Sequence, residues 1–552
     1  MNIKCYQLVE IKSEKEILSA KLTNAQDQIL LTPFKLQPIV FSYNNEGFES
    51  VEKSGDIVYA VRFSVSEEGN YNLCLSFADG GVECIDFIAT DFKSFGFIGV
   101  SSRDSRYFSY SDGSAFFPIG LNTAFPTAYA VSNGSEFGRT NNAGYLGLRQ
   151  YERWFKKCSE NGVNMVRIWA GHDYFSPDTD DCKILNFEQF SKLDALISLA
   201  KKYNLKVKIT LEQFRYFSDN PNGDYVFKLF NKSLILNGKP CVSMKEWLQK
   251  DKWRKAWLNK ISEFSARYSY DTTIFAIELW NEMNCVENSE TFEDVCEWNR
   301  YMLPQIKKLF PNHMVINSLG SLDNTNAYEN YKSFPWELTD FKQVHKYLDQ
   351  GAQMICSTQT PIEAIKSGFD MMNDTKTPLL IAETGAVDNC HCGPFRYYSA
   401  DDRGIFFVDC VYTAVFVGGA GCGNIWHWDY RYLESKNLYH LFKPLSELVN
   451  EIDFSSEEFR SVNLSDEDVW LFILQGKNTT IGFVRNKADN WQNNYRDNKN
   501  ILPVQSKSFE LGVSGSIKCF DIWQEDTTKI KLCDKKLLLS DILYGTIFKI
   551  VR

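Results

Sequence analysis

Two apolar runs in this chain lead into glutamate. TIFAIELW (273–280) runs into Asn281 and Glu282, and PLLIAET (378–384) carries Glu383. With the two-residue period of an extended strand, Glu383 shares a face with Ile381 and Leu379, which places its carboxylate at the inner rim of whatever those residues line. Glu278 shares a face with Glu282 and sits deeper, where it reads as a buried ion-pair partner rather than a reacting group. Two carboxylates aimed into one mouth suit cleavage of a glycosidic bond. One donates a proton to the leaving oxygen, while the other stabilises or attacks the anomeric carbon. A structural reading competes: strand-end glutamates also cap helices or pair with arginines, and neither residue taken alone decides between the two.

The elements that must position these groups form a series. The apolar runs are AFFPIGL (115–121), VNMVRIW (163–169), LKVKITL (205–211), TIFAIELW, HMVINSL (313–319), DFKQVHKY (340–347), PLLIAET and GCGNIWHW (421–428). Helix-like stretches separate them, among them LRQYERWFKKCSE, FEQFSKLDALISLAKKY and DRGIFFVDCVYTAVF. Eight strand–helix units predict an α/β fold, a (β/α)8 TIM barrel, with an open doubly wound sheet as the alternative. In such a barrel the reactive groups stand at the C-terminal ends of the strands. The segment near 324–336 is the poorest helix and 340–347 the poorest strand. Before the barrel, IVYAVRFSV (57–65) and YNLCLSF (71–77), broken by EEGN and ADGG, read as a small antiparallel, sandwich-like β-domain. After it, VWLFIL, TTIGFV, SIKCFDIW and TIFKIV read as a second β-sandwich. The expected domains are residues 1–100, 101–457 and 458–552.

Composition narrows the partners. The 552 residues are 44% hydrophobic and 24% charged, as a folded globular chain requires. The net charge of −10, without a basic run, argues against nucleic acid. No stretch approaches the ~20 consecutive apolar residues of a membrane span, so no membrane partner is expected. The opening MNIKCYQLVEIKSEKEILSA carries charges where a signal peptide needs its apolar segment. The 15 cysteines are scattered without a disulfide framework, so most are expected reduced and buried, and the compartment is expected to be cytoplasmic. Oligomeric state is not legible. No nucleotide-binding loop or G-x-S-x-G elbow sits in a suitable context, and no cofactor is expected. In DNCHCGPF (388–395), Cys390, His391 and Cys392 are possible metal ligands, but no second cluster completes a four-ligand set, so no metal is expected either. Aromatic residues make up 15% of the chain, enough for a large core or for sugar-stacking platforms.

Asn281-Glu282 ending the fourth run, with Glu383 ending the seventh, resembles the retaining glycoside hydrolases of clan A, particularly the cellulase and mannanase family 5. The resemblance covers about residues 112 to 450. It implies that Glu282 is the acid/base, that Glu383 is the nucleophile, and that Asn281 holds the sugar 2-hydroxyl. It further implies that Arg167 in NMVRIW keeps the nucleophile ionised, that Tyr347 of His345-Lys346-Tyr347 approaches it, and that His345 lines the site. Trp426 would lie under the reacting sugar, although Trp428 shares its face and is an equal candidate. The third run departs from the family: TLEQF places Glu212 where many relatives carry histidine, and it reads either as a sugar ligand or as a salt-bridge partner. His172 and Asp173 in WAGHDYF follow the second run as cleft-lining or structural residues. The implied substrate is an oligosaccharide or polysaccharide with β-mannoside or β-glucoside linkages. The alternatives are another clan A specificity, or an inactive barrel that binds carbohydrate. Two long segments, 122–147 and 212–242, carry aromatics (Phe125, Tyr129, Phe137, Tyr145; Phe214, Tyr216, Phe217, Tyr225, Phe227) and are expected to close one end of the cleft.

Overall fold

The structure, a computed structural model, describes residues 1–91, 94–126, 144–213, 232–286, 291–389, 391 and 393–552. Much of both long segments, including Tyr129, Phe137, Phe214, Tyr216, Phe217, Tyr225 and Phe227, lies outside the described residues, as do Cys390 and Cys392.

At the centre lie parallel strands β1 (Gly120–Asn122), β2 (Met165–Trp169), β3 (Lys206–Thr210), β4 (Ile274–Glu278) and β5 (Met314–Ile316), hydrogen-bonded in that order. Strand β6 (Lys342–His345) pairs in parallel with β7 (Leu379–Glu383). The eighth run forms no extended ladder, but Ile425 bridges in parallel to Thr384 beyond β7 and to Leu121 in β1. Glycines explain how it fits so closely: a Cβ on Gly423 would stand 2.4 Å from the Cys410 carbonyl oxygen. Between β5 and β6 no ladder forms among the described residues; there Asp340 donates its backbone N–H to the Val315 carbonyl and accepts the Val315 N–H at its side chain (3.1 and 2.7 Å).

Around the strands pack α1 (Gly147–Glu160), α2 (Phe187–Lys202), α3 (Asp251–Tyr268), α4 (Phe292–Leu309), α5 (Thr325–Ser333), α6 (Pro361–Met372), α7 (Ile405–Phe416) and α8 (Lys443–Val449). Their starts follow from local chemistry. Asn186, Thr291 and Asn324 each accept a first-turn N–H, and ahead of α6 the Thr360 hydroxyl accepts the Glu363 N–H and donates to the Glu363 carboxylate. The α5 stretch, poor in sequence, is a helix of 9 residues.

The first run corrects the sequence reading. Ala115–Phe116 is not the start of β1; it pairs antiparallel with Phe108–Tyr110, which pairs in turn with Ile98–Val100. Pro118 separates this ribbon from β1, because it lacks the N–H a continuing ladder needs. The ribbon packs beneath the strands, with the Phe108 ring edge-on to Phe275 (5.2 Å) and Phe341 (5.3 Å).

The N-terminal region is β-rich. A sheet ordered Asn2–Lys4, Val82–Thr90, Gly69–Phe77, Ile17–Thr23, Gln28–Leu31 faces a second one of Val9–Ser13, Val58–Phe63 and Phe34–Leu36 over a shared apolar core. Cys74 and Cys84, opposed across two of these strands, form a disulfide, whereas Cys5, Cys158, Cys182, Cys241, Cys296, Cys410 and Cys422 are buried thiols outside it. Most described cysteines are thus reduced and buried, as expected, and strand register brings the one bonded pair face to face. The C-terminal region likewise has two sheets over one core, with Thr479–Asn486 and Gly545–Val551 central in the larger. Every residue of α7 is buried, because the helix lies between the barrel and that sheet, where Phe483 meets Tyr412 (5.8 Å) and Phe416 (5.5 Å). No described helix is long and apolar enough to cross a membrane.

Candidate active site

At the C-terminal ends of β2, β4, β6 and β7 a buried network gathers around one guanidinium. Arg167 donates Nε to Glu278 Oε2 (2.8 Å), Nη2 to Glu278 Oε1 (2.7 Å) and Asn281 Oδ1 (2.7 Å), and Nη1 to Asn122 Oδ1 (3.1 Å) and to Glu383 Oε1. The planar fork of arginine suits this, since five fixed donors meet four acceptor side chains. Glu278 is further bound by Thr210 Oγ1 (3.2 Å) and lies 3.5 Å from Lys208 Nζ, which donates to Gln343 Oε1 (2.8 Å). Burial works against a charge on Glu278, but Arg167 and Lys208 outweigh it and hold the carboxyl well below the usual carboxylate range. Glu278 is thus the ion-pair partner its position predicts. Burial also pushes Lys208 down to about 8, against the pull of Glu278.

Glu383 stands at the rim of this network. Its Oε1 takes the Arg167 bond, its Oε2 accepts from Tyr347 OH (2.8 Å), and His345 Nδ1 lies 3.4 Å from Oε2. Burial raises the Glu383 carboxyl above its ordinary value, while Arg167 and Tyr347 pull it back. His345 Nδ1 is 2.8 Å from Glu282 Oε1, and burial, with Arg167 adding to it, holds the imidazole well below its usual range and therefore neutral. One carboxylate oxygen of Glu282, one of Glu383 and a His345 ring nitrogen all lie within 4.8 Å of one another. Glu282 is the more open of the two acids, its side chain 16% exposed against 4% for Glu383. Its backbone is left-handed (φ 48°), an arrangement glutamate adopts only under constraint. The constraint comes from the two residues just past β5: Ser318 Oγ accepts the Glu282 N–H (2.9 Å) and Asn317 Oδ1 accepts that of Trp280 (2.8 Å).

The remaining residues singled out from sequence separate here. Trp426 meets Trp169 at 5.0 Å between ring centroids, tilted 38°. Trp428 is buried among Phe125, Trp154 and Trp426, with its ring edge-on to that of Trp426 (5.2 Å). Glu212 takes up the salt bridge offered as one of its two readings: its Oε2 accepts from Lys260 Nζ (2.9 Å) and Trp257 Nε1 (3.3 Å) on α3. His172 is buried against Phe125 (4.6 Å, interplanar 14°) and Asp173 pairs with Lys232 (3.1 Å), both within the wall. His391 is half exposed and pairs with Asp349 (2.6 Å) and Asp323 (3.6 Å) at the ends of neighbouring strands.

Sequence reasoning missed Asn122, which ties the first strand to the seventh and to the eighth run. Its Nδ2 donates to the carbonyls of Ala382 (3.2 Å), Asn424 (3.0 Å) and Ile425 (3.3 Å), joining β1 to β7 and the eighth run. The signal was present, since IGLN ends the first run on a polar residue as the fourth and seventh runs do.

The family described as Cellulase (glycosyl hydrolase family 5) matches residues 131–403. The rice (Oryza sativa subsp. japonica) "Putative mannan endo-1,4-beta-mannosidase 9" is 24% identical over 338 residues, 57% of this chain and 77% of that protein. The tomato (Solanum lycopersicum) "Mannan endo-1,4-beta-mannosidase 4" is 24% identical over 302 residues, 50% of this chain and 72% of its own. A solved structure described as a putative glycoside hydrolase from Bacteroides vulgatus ATCC 8482 aligns over 100% of both chains with a TM-score of 0.55 at 12% identity, a likeness of fold. The chain is a clan A glycoside hydrolase, family-5-like in its (β/α)8 barrel.

Proposed function

We propose that this glycoside hydrolase cleaves β-1,4-linked mannosides, short oligosaccharides above all, with retention of configuration, Glu282 serving as acid/base and Glu383 as nucleophile. The observation that carries the mechanism is the placement of carboxylate oxygens of Glu282 and Glu383 within 4.8 Å of each other. Retaining enzymes hold their carboxyls about 5–5.5 Å apart, whereas inverting ones need ~6.5–9.5 Å to admit a water. In the first step Glu282 gives its proton to the glycosidic oxygen as a Glu383 oxygen attacks the anomeric carbon; the bond to the leaving sugar breaks and a glycosyl ester on Glu383 forms. Water then attacks that carbon, losing a proton to Glu282 and releasing Glu383. Arg167 and Tyr347 stabilise the Glu383 carboxylate as it leaves, and neutral His345 can exchange a hydrogen bond with Glu282 in either protonation state.

The choice of mannose rests on the two plant relatives, and the ring of eight strands is read as closing across the β5–β6 step. We read the β-rich regions at either end as covers for the barrel.

The test compares aryl β-mannoside with aryl β-glucoside, and follows the first-formed anomer by proton NMR. Glu383→Ala should lose nearly all turnover. Glu282→Ala should slow hydrolysis of a natural oligosaccharide by about 100- to 10,000-fold, and azide should partly restore its action on the aryl substrate. Faster cleavage of the glucoside would overturn the sugar assignment; an inverted product would overturn the mechanism.

A further inference from the structure

Next to Glu212 lies a side chain that the network above does not use. Gln213 is 0% exposed, and neither its Oε1 nor its Nε2 finds a hydrogen-bond partner among the described residues. Buried amides are nearly always satisfied, because desolvating an unpaired donor or acceptor is not repaid by packing. An unpaired pair on one amide therefore asks what completes it.

Its place supplies the answer. Beyond β3 the chain runs beside the end of β4: Leu211 donates its N–H to the Glu278 carbonyl (2.8 Å) and Asn281 donates its N–H to that of Glu212 (2.9 Å). Gln213 thus sits level with Glu282, one strand away, at the mouth. The Glu212 side chain turns outward to Lys260 and Trp257 on α3. The salt bridge draws Glu212 toward α3 and leaves the Gln213 amide unpaired at this end of the β3–β4 edge, among the described residues.

We infer that Gln213 is a sugar-binding residue whose amide takes two neighbouring hydroxyls of the oligosaccharide, Oε1 accepting from one and Nε2 donating to the other. A primary amide carries both kinds of group on adjacent atoms and no charge, which matches a neutral diol and not an anion. The inference rests on the proposed function for its sugar, and it adds a binding residue from β3, where the family pattern seemed broken.

Stability and binding separate the outcomes. Gln213→Met keeps the volume and removes the unpaired polar atoms. In the full-length chain carrying Glu383→Ala, so that ligand is not consumed, β-1,4-mannotriose binding is measured by calorimetry and unfolding by thermal melting. Gln213→Met should leave the melting temperature unchanged or higher while weakening mannotriose at least 10-fold, and in the otherwise native enzyme kcat/KM should fall by a similar factor. A lower melting temperature with unchanged affinity would make Gln213 structural and overturn the inference. If the Glu383→Ala parent binds cellotriose or xylotriose in place of mannotriose, the proposed sugar fails and the same comparison is read on the trisaccharide that binds. If it binds none of the three, both readings fall.

Discussion

Arg167 is the residue on which the others depend, because one planar cation meets Glu278, Asn281, Asn122 and Glu383. Lysine offers a point charge and three rotating donors, and cannot reproduce that fork. Arg167→Lys should therefore lower kcat/KM by about 100-fold or more, comparable to loss of one aimed donor at a charged centre, with no shift of substrate preference; near-native turnover would contradict the role. Lys208 acts at one remove. It and Glu383 interact electrostatically, so removing the ammonium should make Glu383 easier to protonate. In Lys208→Met the acid limb of the kcat/KM–pH profile should move up by about half a unit, while an unmoved limb would show that Lys208 only fills space. The stability sign follows from its value of about 8, below the ordinary 10.5. The unfolded chain binds more protons between those values, so this group's contribution to stability rises with pH across that window.

Elements place these residues by their ends. The β4–β5 pair illustrates it: polar Asn317 and Ser318, just past β5, grip the backbone at Trp280 and Glu282 and so hold a strained glutamate in place. At the other end of β5, His313 is buried beside Phe97 and Phe310, with Nε2 3.0 Å from the Tyr268 carbonyl, and burial lowers it to about 4. Its folded value lies below the ordinary 6.5, so the unfolded chain takes up the proton first and stability is lost as pH falls from 6.5 toward 4. The full effect is about 3 kcal/mol at 1.36 kcal/mol per unit. His313→Gln keeps a donor for Tyr268 without titrating. Its denaturation midpoint should fall less steeply than the wild type's over that range, and parallel curves would rule the histidine out as the source.

Across the whole molecule, buried ion pairs tie the terminal β regions to the barrel. Arg62 of the N-terminal region and Arg267 of α3 share Asp194 of α2 (both 2.8 Å). Arg485 of the C-terminal sheet binds Asp409 of α7 and Asp489 (both 2.8 Å). Burial raises Asp409 to about 6 against the pull of Arg485, so its contribution to stability declines as pH rises from 3.8 through 6. Arg485→Met would leave that acid buried without its nearest cation and should cost about 3–5 kcal/mol at neutral pH. The loss should shrink as pH falls below 6, as melting curves at pH 5 and 7 would reveal, and a pH-independent loss would assign it to packing.

The order of elements and the kind of chemistry were determined by the sequence itself. Strand periodicity, caps such as Thr360 with Glu363, and a glutamate at the end of a buried run are local properties, legible within a few residues. What depends on partners far along the chain was decided only by tertiary structure. Glu212 became a salt-bridge residue because Lys260, 48 positions on, lies behind it, and the amide of its neighbour Gln213 was left unpaired among the described residues. Trp426 and Trp428 share a face in sequence, yet Trp169 packs against the first and Trp154 against the second. The first run was cut at Pro118 because residues upstream had already claimed its start for a separate ribbon. Arg167 and Glu383, 216 positions apart, meet because parallel strands bring their C-terminal ends to one rim. Periodicity says which side of a strand a side chain takes, but the charges and rings waiting on that side come from other strands and helices, and they settle what it does.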